Sequence, residues 1–519
     1  NGVPGGPPFV GNPVPGLSLP AEPVYPAIGN ITDPANTFSP NMKTGHVKSW
    51  TFSVQREITS NMVFEVRYVG NRGDNLWRQY DLNEINLLEN GFLNEIRLAQ
   101  HNLLSNIRNN RGIQFRYQGP GTDTFPLPNI LGYFTGKLPS GAGGCATVAT
   151  CNTLYSGTLW SNATFVNALN PLSGNANAFA STIAGTTNES LFNPNRIAAG
   201  IPINFFFVNP GKRGGAFLFT NEGETTYDGL TIEFRRRFAK GLLVQSSYTF
   251  SKALSNMYAS NSDLFDQPAT LRKELDNRRG VTPFDITQAF KTNFIYELPV
   301  GRGQQFFGGV SGWADKLLGG WGFNGNIRMQ SGSPFSLGNV QLVGMTAKDL
   351  QEAIGVYRNQ ADADGVNRGN VWVLPLDIRQ NTFRAFNTAF GSGTAGAIYT
   401  QGAPEGRYIA PAGLGCLQPF AGGCGFNNLV LKGPAFFRSD LSVVKKIRFT
   451  ENTNLELRGE MLNAFNNINF LIGSPNNDVN TLTGFGAATF GRFTNAYQDI
   501  STTNDPGGRL VQLVVRFNF

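Results

Sequence analysis

The feature of this sequence that most constrains its fold is a strict alternation of apolar and polar residues along long segments. In the last ten residues one face is wholly apolar, formed by Val511, Leu513, Val515, Phe517 and Phe519. The other face is largely polar, formed by Leu510, Gln512, Val514, Arg516 and Asn518. Because successive side chains of a β-strand point to opposite faces, this segment is predicted to be a strand with two unlike faces.

The same alternation passes through two tight turns without changing face. In the first hairpin the apolar side chains are Trp50, Phe52, Val54, Ile58, Met62, Phe64, Val66 and Tyr68. In the second they are Leu230, Ile232, Phe234, Phe238, Leu242, Val244, Tyr248 and Phe250. Positions 58 and 62 have the same parity, as do 238 and 242, so the apolar face stays on one side through each turn.

Four further segments alternate in the same way, at 290–298, 321–330, 440–449 and 455–465. Nine strands are thus predicted, each of about 10–13 residues, whereas soluble strands average ~5–6 residues and membrane-barrel strands need ~9–11. Alternation alone would also fit the half-buried strands of a soluble sandwich, so strand length is the first feature that favours a barrel.

The lengths of the connections are the second such feature. Short turns at 59–61, 239–241 and 450–454 alternate with long polar stretches at 71–225, 255–282, 333–436 and 466–509. Short periplasmic turns and long extracellular loops are typical of outer-membrane barrels. We therefore predict an all-β fold in which residues 47–519 form part of a transmembrane antiparallel β-barrel, with the four long stretches as extracellular loops.

Aromatic and basic residues near the strand ends fit this prediction. An aromatic girdle at the lipid headgroups is expected from Trp50, Tyr68, Tyr248, Phe250, Phe449 and Phe519. Arg56, Arg236 and Lys445 interrupt the apolar face near its lower end, where a long basic side chain can extend to the interface. Alternatively, the predicted lower boundary is displaced by one pair of residues.

The strand directions carry a further expectation. If the final strand runs down to the periplasm, the first one, 47–58, also runs down, and residues 1–46 are the remainder of an extracellular loop. A barrel with both termini in the periplasm needs an even number of strands. We therefore expect an odd number of strands to precede this sequence, unless a further strand lies within 1–46 or 71–225.

Composition argues against catalysis and nucleic-acid binding. The formal charge is +7, but the basic residues are scattered along the chain in short clusters, so no nucleic-acid partner is expected. Histidine occurs only as His46 and His101, which argues against catalysis built on histidine pairs and against zinc sites with several histidines. Residues 360–365, Gln-Ala-Asp-Ala-Asp-Gly, resemble the start of a calcium loop, but Val371 occupies the position of the bidentate Glu, which favours a solvated acidic turn. No catalytic, cofactor-binding or metal site is predicted.

The four cysteines form two close pairs in Gly-rich sequence, Cys145 with Cys151 and Cys416 with Cys424. Local disulfides that pin exposed loops in an oxidising compartment are the simplest interpretation. A four-thiolate metal site is the alternative, although neither pair has the two-residue gap that is usual for zinc.

The stretch 71–225 is too long to be a bare loop. Residues 91–108 are predicted to form an amphipathic helix with Phe92, Ile96, Ala99, Leu103 and Ile107 on one face, and internal packing of a folded loop is its expected role. On the polar face of the strands, Glu456, Arg458 and Glu460 are expected to form cross-strand pairs with Lys446 and Arg448.

Three runs of sequence resemble a known family. They are "GHVKSWTFSVQREITSNMVFEVRYVGNRGDNLWR", "YDGLTIEFRRRFAKGLLVQSSYTFSKAL" and "LELRGEMLNAFNNINF", followed by the closing "LVVRFNF". Together they resemble the C-terminal barrel of Oar-like TonB-dependent transporters from residue 47 to residue 519, most closely in the strands. The resemblance implies a 22-stranded barrel, so thirteen strands would precede these nine, together with a plug and a TonB-contacting segment that are not visible here. It also implies that the terminal Phe519, with Phe517 and Val515, signals insertion by the barrel-assembly machinery.

The leading functional hypothesis is therefore the C-terminal part of a TonB-dependent transporter in the outer membrane of a Gram-negative-type bacterium. Its partners would be outer-membrane lipid, the barrel-assembly machinery, the TonB complex through N-terminal parts, and an unidentified small-molecule or peptide ligand. A structural or adhesive surface barrel without active transport is the alternative, and a soluble secreted β-rich binding protein is a third. An enzyme is not expected.

Overall fold

The structure is a computed structural model, and it describes residues 31–519 except for thirteen gaps. The gaps are 138–144, 171–174, 186–192, 257–279, 283, 338–339, 391–403, 412, 415–429, 451–452, 473–479, 483 and 497–507. The strands are β1 (Ala35–Phe38), β2 (His46–Thr59), β3 (Met62–Asp81), β4 (Ala216–Ala239), β5 (Leu242–Ser255), β6 (Gly280–Val281), β7 (Gln288–Glu297), β8 (Trp321–Gln330), β9 (Pro334–Ser336), β10 (Val340–Val343), β11 (Tyr408–Pro411), β12 (Val430–Lys432), β13 (Phe436–Arg448), β14 (Asn454–Leu462), β15 (Phe470–Leu471), β16 (Asn480–Thr481), β17 (Asn495–Ala496) and β18 (Leu510–Asn518).

The helices all lie in the connections between the long strands. They are α1 (Phe92–Arg108), α2 (Pro128–Thr135), α3 (Val148–Leu154), α4 (Ala163–Ala168), α5 (Ala176–Ala184), α6 (Pro194–Ala198), α7 (Trp313–Leu318), α8 (Ala347–Glu352) and α9 (Leu376–Phe390), with one 3₁₀ turn at Thr158–Ser161.

The nine predicted strands form one antiparallel sheet in chain order, β2-β3-β4-β5-β7-β8-β13-β14-β18. Their register aligns the apolar positions, so that Phe52 lies opposite Tyr68, Tyr68 opposite Leu230 and Leu230 opposite Phe250. Between β4 and β5, Lys240 and Gly241 both have positive φ, as a tight hairpin turn requires. Within the described residues β2 and β18 do not pair with each other, so the sheet is an open wall and not a closed barrel.

Two strands continue well beyond the ends expected from the alternation. β3 extends to Asp81 and β4 begins at Ala216, so residues 71–81 and 216–225 are paired strand and not loop. A short strand also lies within the stretch 1–46, because β1 pairs in parallel with the start of β4 from Ala35 opposite Ala216. Since β1 has four residues, it is too short to cross a membrane, and residues 1–30 lie outside the described part of the chain.

Most of the buried apolar residues lie in two units built from the long connections. The first loop unit is the connection between β3 and β4, whose core gathers side chains from Leu87 to Phe207 together with Leu414 of a later connection. The second loop unit combines the β8–β13 and β14–β18 connections, and its core includes Phe335, Ile378 and Phe490. Described residues of 333–436 and 466–509, which were predicted as two separate loops, thus share one core.

Candidate functional site

The apolar face of the main sheet is exposed in the structure and not buried in a core. Its side chains retain large exposed fractions, such as 82% for Leu513 and 70% for Val515. The exposed set extends across the sheet: Phe52, Val54, Phe64, Leu230, Phe250, Phe323, Met329, Leu457, Leu513 and Val515. Soluble monomers rarely expose apolar side chains across so many neighbouring strands, and such a surface is typical of a membrane-facing or protein-binding face.

A polar cluster marks the upper limit of this face. The Tyr68 hydroxyl donates to Asp228 Oδ1 at 2.6 Å, and Arg72 Nη1 lies 3.1 Å from Asp228 Oδ2. The Trp50 ring covers Gly70, where a Cβ atom would lie 2.4 Å from the ring, and Arg72 lies above the same ring. Predicted girdle residues thus occur where the outward face changes from apolar to charged.

The height of the apolar band follows from the length of β4. From Asp228 to Ala239 the strand rises about 36 Å along its own axis at ~3.3 Å per residue, and a typical barrel tilt of ~40° reduces this to about 28 Å. That is close to the ~25 Å apolar band of outer-membrane barrels. The paired extension of β3 to Asp81 therefore stands above the band.

The opposite face of the sheet carries a network of paired charges. Glu65, which is 7% exposed, accepts from Arg67 Nε at 2.9 Å and lies 3.6 Å from the guanidinium of Arg235. Arg235 also donates to Glu233 at 2.8 Å, and Glu233 accepts from Gln245 at 3.2 Å. This network links β3, β4 and β5 into a polar wall.

A second charge network lies farther along the same wall, and its pairing differs from the cross-strand pairs expected. Arg458 donates to Glu456 at 2.6 Å and to Glu460 at 3.2 Å, both on its own strand. Lys446 lies opposite Glu456 in register, but its ammonium lies 3.5 Å from Glu297 of β7. The broad guanidinium of Arg458 satisfies two carboxylates at once, which a lysine ammonium does less well.

A cleft of about 510 Å³ opens on the polar wall at the end of the sheet that carries the short turns. The charged residues that line it are Lys240, Glu297, Arg302, Asp315, Lys316, Lys446, Arg448, Glu456 and Arg458. The cleft is thus a charged, water-accessible surface at the mouth of the wall.

The first loop unit is built around the helix predicted from the sequence. α1 begins one residue later than expected, at Phe92, and Phe92, Ile96, Ala99 and Leu103 are fully buried in the core. The prediction that this helix provides internal packing is confirmed. The Cys145–Cys151 disulfide is present as expected, with a Cα–Cα distance of 5.3 Å, whereas Cys416 and Cys424 lie outside the described residues.

Glu95 of α1 caps a second helix in this unit. Its carboxylate accepts from the backbone N–H of Ile130 at 2.8 Å and from Asn129 Nδ2 at 2.7 Å, at the start of α2. The N-cap residue of α2 is Leu127, which has no side-chain acceptor, so Glu95 takes over that role. Burial nevertheless raises the pKa of Glu95 from its ordinary 4.5 to about 7.

The second loop unit is organised by a buried arginine. Arg379 is fully buried, stacks 3.9 Å from the Trp372 ring centroid, and donates to the backbone carbonyls of Leu374 and Ala361. Burial lowers the pKa of Arg379 to about 10. The expected solvated acidic turn at 360–365 is corrected in part, because Asp362 is fully buried and bonded to Arg368, whereas Asp364 is exposed as expected.

The second loop unit also has an open cleft of about 480 Å³. Its lining includes Met345, Asp349, Glu352, Tyr357 and Arg407, a mixture of apolar, acidic and basic groups. Arg407 is held by Asp377 at 2.7 Å, which fixes the position of its guanidinium. These residues carry no common sequence signal, because they come from separate segments without a shared motif.

The predicted assembly-signal residues lie at the end of β18 and at the residue that follows it. Phe519, Phe517 and Val515 are all exposed on the apolar face, and the rings of Phe517 and Phe519 lie 6.2 Å apart. In the part of the chain that the structure describes, no group of three or more His, Cys, Asp or Glu side chains is placed to hold a metal ion. Among the described helices, none has the length and apolar character needed to cross a membrane.

Comparison with known families gives one match that covers nearly the whole chain. The family described as "Outer membrane beta barrel domain" matches residues 2–512. No curated protein sequence matches this chain.

Comparison with solved structures gives matches that extend over most of this chain. They include the outer membrane transporter YddB from Escherichia coli, at 7% identity and a TM-score of 0.30, covering 93% of this chain and 34% of YddB. The pyoverdine receptor FpvA from Pseudomonas aeruginosa PAO1 matches at 8% identity and a TM-score of 0.28, covering 92% of this chain and 30% of FpvA. The FrpB iron transporter from Neisseria meningitidis matches at 8% identity and a TM-score of 0.27, covering 93% of this chain and 33% of FrpB. The chain thus spans about a third of the length of these proteins.

Proposed function

Because this chain belongs to the outer membrane beta barrel domain family, we propose that it is the C-terminal barrel part of a TonB-dependent transporter that captures its ligand with extracellular loop units. Its location is the outer membrane of a Gram-negative bacterium. The observation that carries the proposal is that both buried apolar cores lie in the long connections, while the sheet itself exposes its apolar face.

Folded loops suit ligand capture better than mobile ones. A binding surface that is already packed loses less conformational entropy when a ligand is bound. The cleft lined by Met345, Tyr357 and Arg407 combines apolar surface with a fixed cation, as a small polar molecule or a peptide requires. We place ligand recognition in the two loop units, and the ligand is an unidentified small molecule or peptide.

The polar wall faces the interior in this proposal. Its paired charges, Glu65 with Arg67 and Arg458 with Glu456, keep the interior hydrated without leaving a strong local field that would trap a ligand. Energy from TonB, a plug and the remaining strands would come from other parts of the complete protein. Phe519, Phe517 and Val515 would direct assembly through the barrel-assembly machinery.

The proposal is tested by uptake into cells of the native organism. Cells with and without the gene are given a radiolabelled peptide digest or a mixture of ⁵⁵Fe-siderophores, in the presence and absence of a protonophore. We expect gene-dependent uptake of one of these probes that stops when the proton gradient is dissipated. Arg407→Gln should weaken uptake, while Arg384→Gln, an exposed charge on α9 that does not line the cleft, should not.

The structural or adhesive alternative makes a different prediction. Deletion of the gene would then reduce attachment of cells to a surface, and the protonophore would have no effect on that attachment. Such a result, together with unchanged uptake of both probes, would refute transport.

A further inference from the structure

The connection between β7 and β8, residues 298–320, differs from the others on its side of the sheet. The connections after β2 and β4 are tight turns of a few residues, whereas this one is long and contains α7. It also exposes large apolar side chains, with Trp313 78% exposed and Phe306, Phe307 and Leu317 each more than half exposed. Apolar groups of this size are not what a periplasmic turn surrounded by water would carry.

The exposed side chains stand on a fixed backbone. Asp315 Oδ1 accepts from the backbone N–H of Arg302 at 2.6 Å, and Gly319 N donates to the Asp315 carbonyl at 2.8 Å. Phe306 N donates to the Pro299 carbonyl at 2.9 Å, which closes the loop before α7. The apolar residues are therefore held in the open by the fold of the connection.

Four contacts place α7 and the residue after it against the outward, apolar face of the sheet. Trp321 Nε1 and Lys445 Nζ both donate to the Leu317 carbonyl, at 3.0 and 2.9 Å, and Lys445 also donates to the Gly319 carbonyl. The Lys316 ammonium lies 5.2 Å from the centre of the Phe449 ring. Because Trp321, Lys445 and Phe449 all belong to the outward parity of their strands, the Leu317 side of α7 lies over the outer surface at the lower rim, while Asp315 and Lys316 also line the cleft on the polar wall.

This position makes the exposed side chains of the connection continuous with the lipid-facing belt. β8, which follows the connection, is paired on both sides, with β7 and with β13, so α7 does not lie at an open edge of the sheet. Tryptophan concentrates at the boundary between headgroups and acyl chains, and basic side chains beside it favour the phosphate groups there. Lys316 is placed to supply such a charge, because its ammonium lies beside the outward ring of Phe449.

We propose that residues 298–320 form an interfacial anchor that inserts Trp313, Leu317 and Phe307 into the headgroup region of the periplasmic leaflet. The anchor fixes the lower rim of the barrel to lipid between β7 and β8. The proposal rests on the outer-membrane location and on the sheet geometry, and it is independent of whether the protein transports a ligand.

The test is a depth measurement on the full-length protein in proteoliposomes of phosphatidylethanolamine and phosphatidylglycerol. A nitroxide is attached at Trp313→Cys and, separately, at Val208→Cys, which is 76% exposed in the first loop unit. We expect the label at 313 to collide with oxygen several-fold more than with a water-soluble nickel chelate, at a depth of ~5–10 Å. The label at 208 should favour the chelate.

Tryptophan fluorescence quenching is a second measurement of the same depth, and it does not require the cysteine variant to fold. The tryptophan fluorescence of the wild type and of Trp313→Phe is compared in vesicles that contain lipids brominated near the headgroup. The fluorescence that is lost in Trp313→Phe should be strongly quenched in the wild type, as that of the interfacial Trp50 and Trp321 is, whereas the fluorescence of the buried Trp160 should not be quenched. Equal access of both reagents to position 313, or shielding that appears only with a second copy or a periplasmic protein, would overturn the proposal.

Discussion

The pH dependence of the first loop unit gives the sharpest check on the packing around Glu95. This carboxyl is 6% exposed, and its pKa is about 7 in the folded protein against an ordinary value of 4.5. Between these two pH values the folded unit retains a proton that the unfolded chain has released. Stability from this group is therefore fully present below about pH 4.5 and is lost as the pH rises to about 7.

The magnitude follows from the difference between the two pKa values. A pKa difference of about 2.5, at 1.36 kcal/mol for each pKa unit, corresponds to about 3 kcal/mol of stability lost as the pH rises from about 4.5 to about 7. Glu95→Gln removes the titration while its amide oxygen still accepts from Ile130 N–H, so the opening free energy of the unit should become nearly independent of pH. Glu95→Ala also removes the acceptor and should cost about 1–2 kcal/mol at low pH.

Hydrogen exchange measures these opening free energies in the detergent-solubilised protein at pH 5, 6 and 7.5. Amides of α1 and α2 report the loop unit, and amides of β3 and β4 serve as the internal reference. His101→Gln is the control, because His101 on the same helix contacts Asp123 at 3.2 Å and is a second ionisable group in the unit. If Glu95→Gln kept the wild-type pH dependence while His101→Gln abolished it, the assignment to Glu95 would be refuted.

Three further predictions address the lipid face, the disulfide and the C-terminus. Leu513→Arg should destabilise the protein in lipid vesicles by about 2–4 kcal/mol in a urea titration, whereas Gln512→Arg on the polar face should not; equal losses would contradict the assigned faces. Replacing Cys145 and Cys151 by serine should destabilise the first loop unit by about 2 kcal/mol, as expected for a disulfide over so short a loop, and unchanged proteolysis of residues 82–215 would argue against this. Deleting Phe519 should reduce assembly in cells without slowing folding into vesicles, and a loss in both assays would indicate a role in stability.

The long strands could be predicted from the sequence because the membrane gives their two faces different surroundings. All nine predicted strands are present, and β8 has the bounds that the alternation indicates, 321–330. The same reasoning explains why the predicted end of β3 lies before its observed end. Beyond Gly70 the strand β3 leaves the apolar band, both of its faces meet polar surroundings, and residues 71–81 pair as a strand without any apolar alternation.

The second loop unit could not be predicted in the same way. Its core joins residues as distant as Phe335 and Phe490, and its strands β9, β12 and β16 have two or three residues each. No periodicity can develop over such short segments, so their pairing is decided by contacts far apart in the chain. α1 is the contrasting case, because seventeen residues are enough for a helical period to be visible.

Lys445 occupies an apolar position of the alternation in β13, and the alternation alone does not explain why a lysine is found there. On an apolar strand face near the rim, a lysine is expected to extend to the interface. In the structure it is 6% exposed, and its ammonium donates to the carbonyls of Leu317 and Gly319, more than 120 residues earlier in the chain. A buried ammonium needs such acceptors, and the carbonyls at the end of α7 in turn need donors. Neither the sequence of β13 nor that of α7 alone predicts this interaction. A basic residue on a lipid-facing strand therefore indicates either the edge of the bilayer or a segment packed over the strand, and the length and composition of the adjoining connection decide between the two.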